Sequence, residues 1–117
     1  MSGEEVCIYG DGSNVRNWLY VSDHVECLLQ LMRYTGPKKQ FLIGSDIELT
    51  NNELVQNIYR MVHEFDHTSN LRIKYVEDMV AHDFRYSIDF SVTRSELGWS
   101  PLIDFEKALE LTVEHYL

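Results

Sequence analysis

The stretch that decides the fold is Tyr9-Gly-Asp-Gly-Ser-Asn-Val-Arg-Asn-Trp-Leu-Tyr-Val-Ser-Asp-His24. It joins the apolar lead-in Val6 to Tyr9 to a turn rich in Gly, Asp and Asn, then to an arginine among apolar neighbours, then to a helix start. Gly10 and Gly12 permit backbone angles closed to other residues, so the chain can reverse sharply there and pass close to a ligand. Arg16 lies near Val15, Trp18 and Leu19. A guanidinium taken out of water requires an opposite charge, because an unpaired desolvated cation is costly. Spacing leaves two answers open, a bound anion or an internal salt bridge.

Working outward, Val6 to Tyr9 reads as a strand and Trp18 to Val21 as a second short extended piece, before Ser22 or Asp23 caps a helix. That helix runs to about Tyr34 with Val25, Leu28, Leu29 and Met32 on one face, and Gly36-Pro37 ends it. Gln40 to Ile43 reads as a short buried strand. Thr50-Asn-Asn-Glu53 spells a capping box for a second helix, whose buried face is expected to hold Leu54, Val55, Ile58, Met61, Val62 and Phe65. Leu71 to Val76 alternates like a strand. Glu77 to Ile88 has no clean period and is the expected binding loop, or else a merely solvated one, with Asp78, His82, Asp83, Arg85 and Tyr86. Ser91 is expected to cap a short helix that Gly98 stops, and Asp104 to cap a last helix with Phe105, Ala108, Leu109, Val113 and Tyr116 on one face. The fold class is α/β, of mixed α+β character.

The 117 residues allow one domain at most, with 44% hydrophobic and 25% charged residues as in ordinary globular proteins. No apolar run is long enough to span a membrane, and Met-Ser-Gly-Glu-Glu does not read as a signal peptide, so a cytoplasmic protein without a membrane partner is expected. The net charge of −9, with scattered Lys and Arg, argues against a nucleic-acid partner. A small anion is still compatible, since one or two placed arginines suffice to hold it. Cys7 and Cys27 show no pairing or ligand motif and read as reduced, buried thiols.

Two motif matches weigh less than they look. His63-Glu-Phe-Asp-His67 fits the zinc-hydrolase spelling, with Glu64 as the base and His82 or Asp83 as a possible third ligand. The pair falls where the second helix frays into Thr68-Ser-Asn70, however, whereas a metal site needs a rigid face. Tyr34-Thr-Gly-Pro-Lys38 has the spacing of a dehydrogenase Tyr-x-x-x-Lys pair, but Gly36-Pro37 breaks the helix that would align the two side chains. A Gly-x-Gly-x-x-Gly fingerprint is missing, since Val15 stands where the third glycine belongs.

Tyr9-Gly-Asp-Gly, Arg16-Asn-Trp-Leu-Tyr-Val-Ser-Asp-His24, Phe41-Leu-Ile-Gly44, Glu48-Leu-Thr-Asn51, His82-Asp-Phe-Arg-Tyr-Ser-Ile-Asp89 and Glu96-Leu-Gly-Trp-Ser-Pro101 occur in order and with matching gaps. Together they resemble the C-terminal part of the dTDP-glucose 4,6-dehydratases, which are extended short-chain dehydrogenases/reductases. The resemblance implies a single partial domain over residues 1–117 that grips a nucleoside diphosphate sugar, with dTDP-glucose the expected ligand. The NAD-binding Rossmann half and its catalytic residues would lie elsewhere. It implies that Tyr9 and Arg16 contact the nucleotide and its diphosphate, that Asn51 donates to the same region, and that His82 and Asp83 lie in a loop closing over it. The parent enzymes use NAD, but none is expected to bind this chain, and no catalytic, cofactor-binding or metal-binding residue is assigned.

The helix from about Asp23 and the strand at Gln40 to Ile43 are expected to pack on the Rossmann sheet of such an enzyme. A separate Rossmann half, or self-association, would then cover them. One departure stands out, because Asp78-Met-Val-Ala-His-Asp83 replaces the family's Asp-Arg-Pro-Gly-His-Asp, leaving Met79 in place of a phosphate-binding arginine. Asn17 also stands where the family usually has Asp. The rival readings are the zinc hydrolase and a non-catalytic remnant acting as an interaction domain.

Overall fold

The turn at Gly10 and Gly12 takes both glycines to positive φ, +60° and +74°, and carries the chain from β1 (Val6–Tyr9) into β2 (Val15–Asn17). The computed structural model describes residues 5–117. The remaining elements are α1 (Val21–Arg33), β3 (Glu48–Thr50), α2 (Asn51–Phe65), β4 (Ile73–Val76), α3 (Ser91–Leu97) and α4 (Phe105–Tyr116). β1 pairs in parallel with β4, from Val6 opposite Ile73 to Tyr9 opposite Val76. β2 pairs antiparallel with β3, Val15 opposite Thr50 and Asn17 opposite Glu48. This is a mixed α/β fold of helices with two small two-stranded sheets.

The capping box of α2 forms as its sequence implies. Thr50 accepts from the Glu53 N–H while the Glu53 carboxylate accepts from the Thr50 N–H at 2.8 Å. These bonds satisfy donors that a helix start leaves open, and the carboxylate sits at the positive end of the helix dipole. α4 begins in a related way, with Asp104 accepting from the Lys107 N–H at 3.0 Å. The two helices bury Met61, Val62, Leu109 and Val113 against one another, with Phe105 packed on them. Ile58, Phe65 and Tyr116, expected on these faces, are exposed. A second cluster holds Cys27, Phe90 and Trp99, joined by Leu19, Leu31, Ile43, Ile88 and Leu97. Gly98 stops α3 in the left-handed conformation at φ 64°.

Several expectations are corrected. The second strand is Val15–Asn17, not Trp18 to Val21, because the ladder with β3 ends at Asn17. A single bond from Trp18 N to Ile47 O, 2.9 Å, follows it. Neither Ser22 nor Asp23 caps α1. The cap is Tyr20, without a side-chain bond, and Asp23 is buried inside the first turn, where it accepts from the Ile103 N–H at 3.1 Å. Gln40 to Ile43 makes no strand, since a strand needs a neighbour to ladder with and no described strand pairs there. Leu42 O accepts instead from Thr93 Oγ1 at 2.5 Å. Phe90, not Ser91, caps α3, and the Ser91 N–H is taken by the Asp89 carboxylate. Cys7 lies exposed on β1 rather than buried, and only Cys27 is enclosed. Burial pushes the Cys27 thiol up from its ordinary value.

The apolar face of α1 is real but uncovered. Val21, Val25, Leu28, Leu29 and Met32 are all exposed, Met32 to 83%. The chain is correspondingly spread out, 51 × 35 × 18 Å with a radius of gyration of 17.0 Å, where a compact domain of this length has about 13 Å. Its accessible surface is 8167 Å², against roughly 6,600 Å² for a compact monomer of this mass. Among the described residues, no helix is long and apolar enough to cross a membrane.

Candidate functional site

Residues 77–86 lie along the free side of β2, and this brings the candidate residues together. Val15 N donates to Phe84 O (2.8 Å) and Tyr86 N to Val15 O (3.1 Å), so a piece of the irregular loop is held like an added strand. The buried Asn14 reinforces it with a bond from Nδ2 to Asp83 O, 3.4 Å. Ala81, at φ 64°, is the single non-glycine residue of positive φ among the described ones, a conformation costing an L-residue roughly 1 kcal/mol or more.

Arg16 is the peg on which this loop hangs. Its Nη1 donates to Val15 O (2.7 Å) and Phe84 O (3.4 Å), and its Nη2 to Asp83 O (3.0 Å) and His82 Nε2 (2.9 Å). The guanidinium lies over the Tyr86 ring, 4.5 Å from its centroid. All these partners are formally neutral or π-bonded, and among the described residues Arg16 forms no ion pair. The internal salt bridge that spacing left open is therefore not what holds it. The half-buried charge is steadied by carbonyl dipoles and a π face, an arrangement that keeps a cation in place without cancelling it.

His82 is fixed on its other side, with Nδ1 2.7 Å from Asp78 Oδ1. This bond, the largest cause, holds the Asp78 carboxyl below the ordinary aspartate range. Asp83, through its Oδ2, accepts from the Tyr86 hydroxyl at 2.7 Å, and that bond with the adjacent carboxylate charge raises the Tyr86 phenol. Arg85 turns away to Glu48, 2.6 Å. Tyr9 ends β1 with its side chain exposed, next to Gly10, where a Cβ would come within 2.9 Å of Asp78 Oδ2. Asn51 is the first residue of α2. Its N–H donates to Asn14 O at 3.1 Å, which ties the helix start to the same turn.

Arg16, His82 and Asp83 thus meet directly, while Tyr9 and Asn51 flank them through the turn. The residues that sequence reading missed are Asn14, Asn52 and the pairing of Asp78 with His82. Asn52 donates from Nδ2 to Asp11 O (2.8 Å) and accepts from the Tyr75 hydroxyl (3.2 Å), and any Cβ at Gly12 would collide with it. The i, i+4 spacing of Asp78 and His82 was a signal, but outside a helix that spacing fixes no geometry.

The glycine turn does not fit a dinucleotide. It leads from strand to strand rather than into a helix, and the Asn51, Asn52 and Glu53 N–H groups at the start of α2 are spent on Asn14 O, Gly12 O and Thr50 Oγ1. An anion-binding helix end needs those donors free. The zinc spelling brings the His63 and His67 rings to 5.5 Å but gathers no third ligand among the described residues. α2 ends at Phe65, so His67 lies beyond it, and His63 stacks with Tyr59 and reaches Ser69 at 3.3 Å. His82 and Asp83 are engaged at the loop, and among the described residues no group of three or more His, Cys, Asp or Glu could hold a metal.

A separate cavity of about 560 Å³ opens between α2, α4 and residues 100–105. None of the five candidate residues lines it. Trp18 does, and its buried indole Nε1–H has no hydrogen-bond partner among the described residues. The loop, which carries the charged groups, is the better candidate site.

The fold is shared with one part of dTDP-glucose 4,6-dehydratase and UDP-glucose 4-epimerase structures. The family model for GDP-mannose 4,6 dehydratase matches residues 1–112, and the chain belongs to that family. It is 38% identical over 122 residues to the dTDP-glucose 4,6-dehydratase of Haemophilus influenzae, covering 98% of this chain and 36% of that protein. It is 41% identical over 116 residues to the low-salt glycan biosynthesis protein Agl12 of Haloferax volcanii, covering 99% and 36%. Among solved structures it resembles DesIV, a dTDP-glucose 4,6-dehydratase of Streptomyces venezuelae with NAD and TYD bound, at TM-score 0.85 and 33% identity over 97% of this chain and 34% of that one. A UDP-glucose 4-epimerase of Thermotoga maritima with UDP-glucose superposes at TM-score 0.81 and 32% identity, covering 97% and 35%. The chain therefore spans about a third of the length of the relatives it matches.

Proposed function

We propose that this chain is the nucleoside diphosphate sugar-binding segment of a 4,6-dehydratase-type enzyme, with dTDP-glucose as ligand. The observation that carries the reading is Arg16, a half-buried guanidinium held by neutral acceptors and in no ion pair among the described residues. Tyr9, Arg16, Asn51, His82 and Asp83 form the binding surface. Oxidation and dehydration are assigned to residues outside this chain, since its glycine turn and helix start do not suit NAD. The bare face of α1 supports a partner there, a Rossmann half or a second copy of the chain.

Calorimetric titration tests this. The chain is expected to bind dTDP-glucose and not NAD, and Arg16→Ala to abolish the binding. Met79→Arg, which adds a donor on the exposed loop, is expected to tighten binding about tenfold to hundredfold, the worth of a hydrogen bond to a charged group. Salt should weaken that complex more than the wild type. Saturable micromolar NAD binding, or dTDP-glucose binding undiminished in Arg16→Ala, would sink the reading.

A further inference from the structure

The protonation pattern around His82 is dictated by its neighbours. Arg16 can only donate, so the His82 Nε2 it reaches at 2.9 Å carries no proton. In the neutral ring the proton is then on Nδ1, where Asp78 Oδ1 accepts it at 2.7 Å. The imidazole is only slightly exposed, 17% for its side chain, so its charge state matters to its surroundings.

The charged groups around it come from three places. β2 contributes Arg16, the loop itself contributes Asp78 together with the bonded pair Asp83 and Tyr86, and the glycine turn contributes Asp11, whose charge is felt by Asp78. Position 79 is a methionine, and Arg85 is committed to Glu48. One permanent cation thus faces three carboxylates. A nucleoside diphosphate sugar adds about two negative charges more, and like charges gathered in a partly buried site repel strongly.

We propose that binding of the diphosphate at Arg16 is coupled to proton uptake by His82, which becomes the second cation of the site. A phosphate oxygen replaces Nε2 as the acceptor of the Arg16 Nη2–H, and the freed Nε2 lone pair takes a proton from solvent. The imidazolium then donates from Nδ1 to Asp78 and from Nε2 to the phosphate. Asp78 is the positioning residue, since its carboxylate fixes the ring and stays ionised throughout. The inference rests on the sugar-nucleotide reading of the same site.

The test uses the full chain and dTDP-glucose, whose diphosphate is a diester with no ionisation near neutrality. It is titrated calorimetrically between about pH 6 and pH 8.5, the range that brackets histidine ionisation, in buffers of different ionisation enthalpy. The wild type is expected to take up nearly one proton per bound ligand at the alkaline end, with affinity falling about tenfold per pH unit there. His82→Gln should bind without uptake and with a flat profile, and Asp78→Asn should take up less. The His82 imidazole resonances of the wild type, which need no variant, should move to the charged form when dTDP-glucose is added. Wild-type binding with no proton uptake and a flat profile would overturn the coupling and leave the binding reading standing. Uptake that persists in folded His82→Gln would also overturn it. Absence of binding at every pH would remove both.

Discussion

α2 and α1 are helices of fifteen and thirteen residues, each with an apolar stripe, and they sit in opposite surroundings. The stripe of α2 meets α4 and closes over Met61, Val62, Leu109 and Val113. The stripe of α1 stays exposed, and of the helix only Asp23 and Cys27, on its other side, are buried. Helical periodicity states which face avoids water, and it is silent on what does the covering. The contrast separates the part of this chain that holds itself together from a part whose apolar face is left exposed.

The comparison breaks most sharply at Leu109. Leu109→Ala empties the middle of the α2–α4 contact and is expected to cost about 2 to 5 kcal/mol, read from urea unfolding followed by circular dichroism. A loss below about 1 kcal/mol would mean that the contact is not a true core. Thr50→Ala removes the cap that starts α2 and should cost about 1 kcal/mol in the same assay. The capping box also predicts a pH response. Bonds from the Thr50 N–H, first, and the Thr50 hydroxyl hold the Glu53 carboxyl below its ordinary value. Its contribution is therefore complete above the ordinary glutamate range and is lost as pH falls through the lowered folded-state value. Glu53→Gln should flatten that acid limb of the stability curve, and an unchanged limb would argue that the box carries no weight.

On α1 the expected change in stability is the smallest and the change in association the clearest. Val25→Glu combined with Leu29→Glu should alter unfolding by no more than about 0.5 kcal/mol, because both side chains are exposed already. Sedimentation should meanwhile show the wild type self-associated and the double variant monomeric. A wild type that remains a clean monomer at high concentration would break the comparison, since the α1 stripe would then need no cover.

What could be read in the sequence divides along similar lines. The starts of α2 and α4, the stop at Gly98 and the chain reversal at Gly10 and Gly12 were legible because local chemistry decides each of them. β2 was not, since Val15-Arg16-Asn17 has little apolar alternation and becomes a strand only because Glu48 to Thr50 lies beside it. Gln40 to Ile43 failed in the opposite sense, having strand-like residues and no partner strand. At the site the structure brings Arg16, His82 and Asp83 together, which the sequence named only as separate contacts to one ligand. The i, i+4 spacing of Asp78 and His82 could not by itself fix that Asp78 would hold the His82 ring, and nothing local announced that buried Asn14 would tie the loop to the turn. Those bonds, like the exposure of Cys7, depend on where the loop lies in space.

The parallel pairing of β1 with β4 has a consequence in time. Val6 and its partner Ile73 are separated by the whole of α1, β3 and α2. At a synthesis rate of about 5 to 20 residues per second, β1 leaves the ribosome roughly 3 to 13 seconds before β4 exists. Closing so long a loop brings its reward only at the end, so α2 can be complete while β1 is still an open edge. β1 is made well before the strand it pairs with, and in that interval Val6, Cys7 and Ile8 are open to the wrong neighbour.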